Sequence, residues 1–446
     1  MIIDVMKYGA LGDGATNDRD AIQRAINDCG RAGGGRVVFS GGHVFRSGAL
    51  ELASNIELYL EAGAVLKAVD DMEELDLFGQ STGSVKALSR PTYEACDYDG
   101  APTMFFLYGN ELENVTISGR GRIDGNEEIF YGTVTKWHID GKFYPRAPLI
   151  YMVGVKHLTI EGVTLCGSAF WTTHLIGCED VLIQGVRILN NLRLANCDGI
   201  DPDHCKNVRI IGCNIETADD CIVFKNTAQF AKYGACENIV VSGCTLKSTS
   251  AAIKFGSESE DVFRNIVVEN CTIDGTNRGI SLQLRDKGCI ENVILSNLII
   301  NTRMFSKLHW WGSAEPIAVT AVRRTNDTKP GCIRNVTFSN IRTNGENGIF
   351  IYGDEELKNI DGLLFERVCV TLSEKTGHPK DTYDIRPTAG EGLIKDSLRV
   401  LSVHNTGRIA FKDCSFTIED SMAPFVNAPV SIENAEVEEG YSVTTL

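Results

Sequence analysis

The chain has 446 residues, is 43% hydrophobic and carries a net charge of −16. That charge argues against a nucleic-acid backbone or an anionic membrane surface as partner, and no stretch approaches the apolar length needed to span a bilayer. The opening residues Met1-Ile2-Ile3-Asp4-Val5 show no basic region leading into a long apolar run, so a cytoplasmic chain is expected. The 15 cysteines recur in strand-like contexts and form no Cys-x-x-Cys metal pair. They read as reduced thiols used as small apolar side chains; no metal and no cofactor is expected.

In chain order, the glycine-rich Gly9–Gly14 lacks the ending and spacing of a phosphate cradle. Residues 18–29 follow as an amphipathic helix with Ala21, Ile22, Ala25, Ile26 and Cys29 on one face. Asp18 or Asn17 suits its N-cap, and Gly30 its end. A short pattern then recurs: a polar residue, three strand formers, and Gly or Asn soon after. It begins at Asn114, His157, Asp180, Asn207, Asn238, Asn265, Asn292 and Asn335, with weaker copies at 362–367 and 408–413. A period of twenty-odd residues built from short β-branched strands, with no alternating helix, is a solenoid signature. The predicted fold is all-β, a right-handed parallel β-helix over residues 1–446 as a single domain, with 18–29 as its capping helix. Asn tolerates the left-handed backbone of sharp coil corners. Successive coils stack at about 4.8 Å, so equivalent positions form columns.

Two insertions interrupt the period. One is 126–147, with Tyr131, Trp137, His138, Tyr144 and Arg146. The other is 303–317, with Trp310 and Trp311. Long insertions on one side of a solenoid build binding sites, so both are expected as cleft walls that favour exo action, with the tryptophans as a sugar platform. Trp171 and His174 belong to a coil beside an acidic face and are further candidates for sugar contact.

That acidic face is the most informative feature. Asp198 and Asp201 lie in Asn196-Cys-Asp-Gly-Ile-Asp201; Asp219 and Asp220 lie in Ala218-Asp-Asp220. Aligning coils from the residue that closes each strand puts Ile222, Ile253 and Ile280 in one column and Val223, Lys254 and Ser281 in the next. Asp220, Ala251 and Arg278 form another, and Asp219 aligns with Ser250. With an allowance of five residues near 190–196, Asp198 falls in register with Asp220. Crowded carboxylates suit glycoside hydrolysis, which needs one protonated acid at the leaving oxygen and one carboxylate to activate water or attack carbon.

These motifs resemble those of glycoside hydrolase family 28, the polygalacturonase-like enzymes with a pectin-lyase-like β-helix, Ala218 standing where the family's second motif has Gly. The resemblance extends from the Asp4–Gly14 segment into the C-terminal coils. It implies inverting hydrolysis of pectin-derived or related oligosaccharides, with Asp219 as general acid and Asp198 and Asp220 activating water. Ser168–His174 resembles the family's cleft-lining segment one coil earlier. Two departures stand out. Ser250 and Ala251 replace the family's His-Gly. Ser281 and Gln283 replace its Arg-x-Lys, which grips the galacturonate carboxylate. Lys254, Arg278 and Arg285 are candidate relocated cations, and Lys225 a further substrate contact. A carboxylate in a cleft needs a paired cation or several donors, so a plain polygalacturonase is not expected. The expected partner is an oligosaccharide, with oligomeric state left open. Two alternatives stay open: a β-helix polysaccharide lyase using calcium, and a noncatalytic carbohydrate-binding β-helix.

Overall fold

The structure, a computed structural model, describes residues 1–79, 101–306 and 312–446. It comprises two compact units, Met1–Ala218 and Asp219–Leu446. Each is a stack of parallel coils, and the fold is a right-handed parallel β-helix.

In the first unit, strand Lys156–Glu161 pairs in parallel with Glu113–Gly119 on one side and Glu179–Gln184 on the other. Lys206–Ile211 continues the ladder. Alternation along these strands sends one face inward: Val115, Leu158, Val181 and Val208 stack in one fully buried column, and Ile117, Ile160, Ile183 and Ile210 in the next. Each such side chain contributes about 1.5–3 kcal/mol of burial free energy. A second ladder joins Pro148–Val153, Phe170–Ile176 and Ile200–Asp203, with Tyr151 opposite His174 and His174 opposite Asp201.

In the second unit the corresponding columns run Ile239, Ile266, Val293, Val336, Leu363 and Val241, Val268, Leu295, Phe338, Phe365. Phe338 and Phe365 stack at 4.6 Å, and Phe365 and Phe411 at 4.8 Å, the spacing of the coils. The other ladder places Ile222, Ile253 and Ile280 side by side, and Val223, Lys254 and Ser281 beside them, as the coil alignment expects.

Every repeat start from Asn114 to Asn335 has a positive φ between 52° and 59°. Asn is favoured there for a second reason. Its amide bonds the Asn one coil away: Asn265 Nδ2 donates to Asn238 Oδ1 at 3.0 Å, and Asn335 Nδ2 to Asn292 Oδ1 at 2.5 Å.

The capping helix spans Arg19–Arg31 and buries the five residues expected. Two details differ. The helix runs one residue past Gly30. Asp18 occupies the N-cap position but turns its carboxylate to the Leu11 and Gly12 N–H groups, at 2.7 and 3.0 Å. The glycine-rich loop therefore already holds an anion, supplied by the chain itself.

Most described cysteines are buried free thiols, as expected. Cys289 and Cys332 depart from the all-reduced reading. They are register partners on adjacent parallel strands, and that pairing brings their Cα atoms to 4.8 Å, within disulfide range. They are bonded.

Candidate active site

The first unit presents Asp198 on a tightly held turn. Asn196, at φ 59°, makes the bend. The Trp171, Thr172 and Thr173 N–H groups donate to the carbonyls of Asn196, Asp198 and Gly199 at 2.9–3.1 Å. Asn190 Nδ2 reaches the Cys197 carbonyl and the Thr172 hydroxyl. Arg146, fully buried, donates to the carbonyls of Ala195, Ala169 and Phe143. The 126–147 insertion thus supports the Asp198 turn from behind, and Arg146 is no exposed wall residue. Trp137 is exposed, with Lys136 over its ring. Beside the turn, His174 Nε2 lies 3.2 Å from Asp203 Oδ2, and both are buried. Trp171 is 2% exposed, stacked on Phe170 at 4.8 Å and edge-on to His174 at 4.7 Å. Asp201 is fully buried. Trp171, Asp201 and Asp198, the last also 2% exposed, are thus all buried at this face.

The second unit presents the Asp219–Asp220 pair, whose members sit in different environments. Asp220 is buried and accepts three bonds: Ser250 Oγ at 3.0 Å, Ala251 N at 3.1 Å and Lys254 Nζ at 2.8 Å. Asp219 is half-buried, with its carbonyl held by Ser248 Oγ at 2.6 Å. The positions where the resemblance expects His-Gly thus carry two of the Asp220 donors. Burial pushes the Lys254 ammonium down, but Asp220 and Asp219 outweigh it and hold its pKa above the ordinary value. Farther along the face, Lys225 Nζ lies 3.4 Å from Glu258 Oε2. Glu258 was missed by sequence reasoning, because it lies beyond a shift in strand register between Phe224 and Asn226.

Arg278 and Arg285, expected as cations for the substrate, are turned inward instead. Arg278 is 2% exposed and pairs with Glu315 at 3.1 Å. Arg285 is fully buried and donates to the carbonyls of Leu284, Thr320, Ile385 and Pro387 and to the Thr320 hydroxyl. Burial and the neighbouring Arg324 push its pKa well down. The two arginines anchor residues 384–387: Arg278 Nη2 donates to the Asp384 carbonyl at 2.6 Å, and Gln283 Nε2 donates to that of Arg386. Ser281 and Gln283 are each 2% exposed. The place where the resemblance expects the carboxylate grip is therefore covered by backbone. Sequence offered no signal for this, since the contacts span about a hundred residues. Trp310 and Trp311 lie outside the described residues. The flanks of their insertion are pinned by Asn277, whose Oδ1 accepts from Ala314 N at 2.9 Å, and by Thr302 Oγ1 on the Ala314 carbonyl.

The chain is similar to known proteins in sequence and in fold. A probable polygalacturonase of Vitis vinifera is 30% identical over 264 residues, which cover 57% of this chain and 51% of that protein. An endo-polygalacturonase of Pectobacterium carotovorum subsp. carotovorum is 27% identical over 212 residues, 46% of this chain and 50% of that one. The chain spans about half the length of these curated relatives. Among solved structures, the family 28 exopolygalacturonase of Yersinia enterocolitica superposes with a TM-score of 0.71 at 20% identity, covering 99% of this chain and 79% of that one. The model of glycosyl hydrolases family 28 matches residues 68–306, more than half of the sequence, and the chain belongs to that family.

Proposed function

We propose that the protein is an inverting glycoside hydrolase acting on pectin-derived or related oligosaccharides. Asp219 is the general acid, and Asp198 and Asp220 activate the attacking water. The observation that carries this reading is the unequal pair in the second unit. Asp220 is buried and bonded by a cation and two neutral donors, which suits an acceptor that orients water. Asp219, next to it and half-buried, is the carboxyl able to meet a leaving oxygen. Two carboxylates in different environments are what acid/base division requires. Action from a chain end, with the two insertions as walls, is part of the proposal, as is a substrate other than plain polygalacturonate.

Asp219→Asn and Asp220→Asn test it on defined pectic oligosaccharides. Each substitution is expected to lower kcat by at least about a hundredfold with KM little changed, the range of a lost acid or base. Unchanged turnover in both variants refutes the assignment. An unsaturated product absorbing in the ultraviolet, abolished by a chelator, replaces it with a lyase.

A further inference from the structure

We propose that the site reads a neutral sugar residue, and does so through a cavity built by the 373–400 loop rather than through the β-helix strands. This rests on the glycosidase reading above. The loop leaves the coil after Ile360–Leu372, folds into a small antiparallel ribbon, Thr382–Asp384 against Leu393–Lys395, and returns at Leu401. Its base is fixed by buried Glu346, which accepts from the N–H groups of Lys375 and Thr376. Its tip is fixed by Arg278, Gln283 and Arg285. Arg278 is the register partner of Ala251, whose N–H binds Asp220. Two paired strands, Ala251–Ser259 and Arg278–Leu284, thus link the Asp220 carboxylate to the loop.

The ribbon, with Met304, Gly312 and Ser313, lines a cavity of about 390 Å³. Its lining combines charged Asp381, Asp384, Arg386 and Lys395 with apolar Met304, Pro379 and Leu393. Both cations are already matched: Arg386 to Asp384 at 2.7 Å, Lys395 to Asp381 at 3.4 Å. The nearer cations Lys254 and Arg278 are likewise matched, to Asp220 and Glu315. At Arg386 a uronate would have to displace the buried Asp384 carboxylate and face its charge. A sugar hydroxyl, both donor and acceptor, bridges a carboxylate and a cation without displacing either. The apolar lining residues Met304, Pro379 and Leu393 suit the C–H face of the same ring.

The test is ligand-detected NMR on the full chain with D-galactose, L-rhamnose and D-galacturonate, beside Arg386→Gln and Leu393→Asp. A neutral sugar should bind at least about tenfold tighter than galacturonate, and each variant should weaken it by about tenfold, roughly the value of one well-placed contact. Leu393 is 37% exposed, so its substitution leaves a folded chain, verified by circular dichroism. Galacturonate binding as tightly as either neutral sugar overturns the proposal. So does neutral binding that both folded variants leave unchanged, or no binding at all. Binding is read without turnover: a chain that binds neutral sugar at this cavity yet hydrolyses nothing refutes the reaction and upholds the cavity.

Discussion

Lys254→Met isolates the interaction that organises the Asp220 carboxylate. Lys254 Nζ lies 2.8 Å from Asp220 Oδ2, with the carboxylate side chain 1% and the lysine 14% exposed. Removing one partner of a buried pair strands the other's charge, at a cost of about 3–5 kcal/mol. Methionine keeps most of the aliphatic stem, so packing loss is small. Ser250 and Ala251 still hold Oδ1, which places the expected loss near the lower end, about 3 kcal/mol. If stranded charge is the cause, neutralising the partner should repair it. The double variant Asp220→Asn/Lys254→Met should then regain about 2 kcal/mol over Lys254→Met alone. Asp220→Asn alone, which strands the ammonium, should fall between. Guanidinium denaturation of the four proteins gives the cycle directly. A Lys254→Met loss below about 1 kcal/mol, the range of a surface pair, refutes the reasoning. So does a double variant less stable than both singles.

Other expectations follow from the same structure. Asn265→Ala forces a left-handed φ of 56° on a residue that resists it and removes the bond to Asn238; denaturation should show a loss of about 2 kcal/mol, and Asn265→Gly about half of that. Burial alone would raise the Asp286 carboxyl, but Arg324 and the Ser259 N–H and hydroxyl outweigh it and hold its pKa below the ordinary value. A depressed carboxylate contributes stability above its unfolded pKa, about 4, and loses it as pH falls through the folded value. The stability gap between wild type and Asp286→Asn should therefore narrow below about pH 4; a gap constant from pH 7 to 3 counts against the Arg324 pairing. A Cβ at Gly331 would lie 1.7 Å from the Gly288 carbonyl oxygen, so Gly331→Ala should destabilise by several kcal/mol, beyond the roughly 1–3 kcal/mol typical of overpacking. A Gly331→Ala midpoint equal to wild type would contradict the stacking at that corner.

What the sequence made legible follows from chemistry that is local or periodic. The repeat starts stand out because few residues besides Asn tolerate a left-handed φ, and that same requirement recurs once per coil. The Ile222–Ile253–Ile280 column could be read because those coils match in length. The capping helix showed in its apolar face, although Asp18 proved to serve the preceding loop. The hidden features depend on chain segments far apart in sequence. Arg278 and Arg285 look like surface cations until residues 384–387 are seen to lie over them. Arg146 reads as part of a wall until its carbonyl partners near Ala195 appear. Glu258 escaped because the strand changes register before it. The Cys289–Cys332 bond is implicit in the Asn292 and Asn335 repeat starts, each three residues further on, yet it forms only because those strands are adjacent.

The central claim is that the aspartates perform inverting hydrolysis. Time-resolved proton NMR of the first product released from a defined pectic oligosaccharide reads the anomeric configuration before mutarotation. A product of inverted configuration is expected, with the signal lost in Asp219→Asn. A product of retained configuration, or an unsaturated one, contradicts the claim.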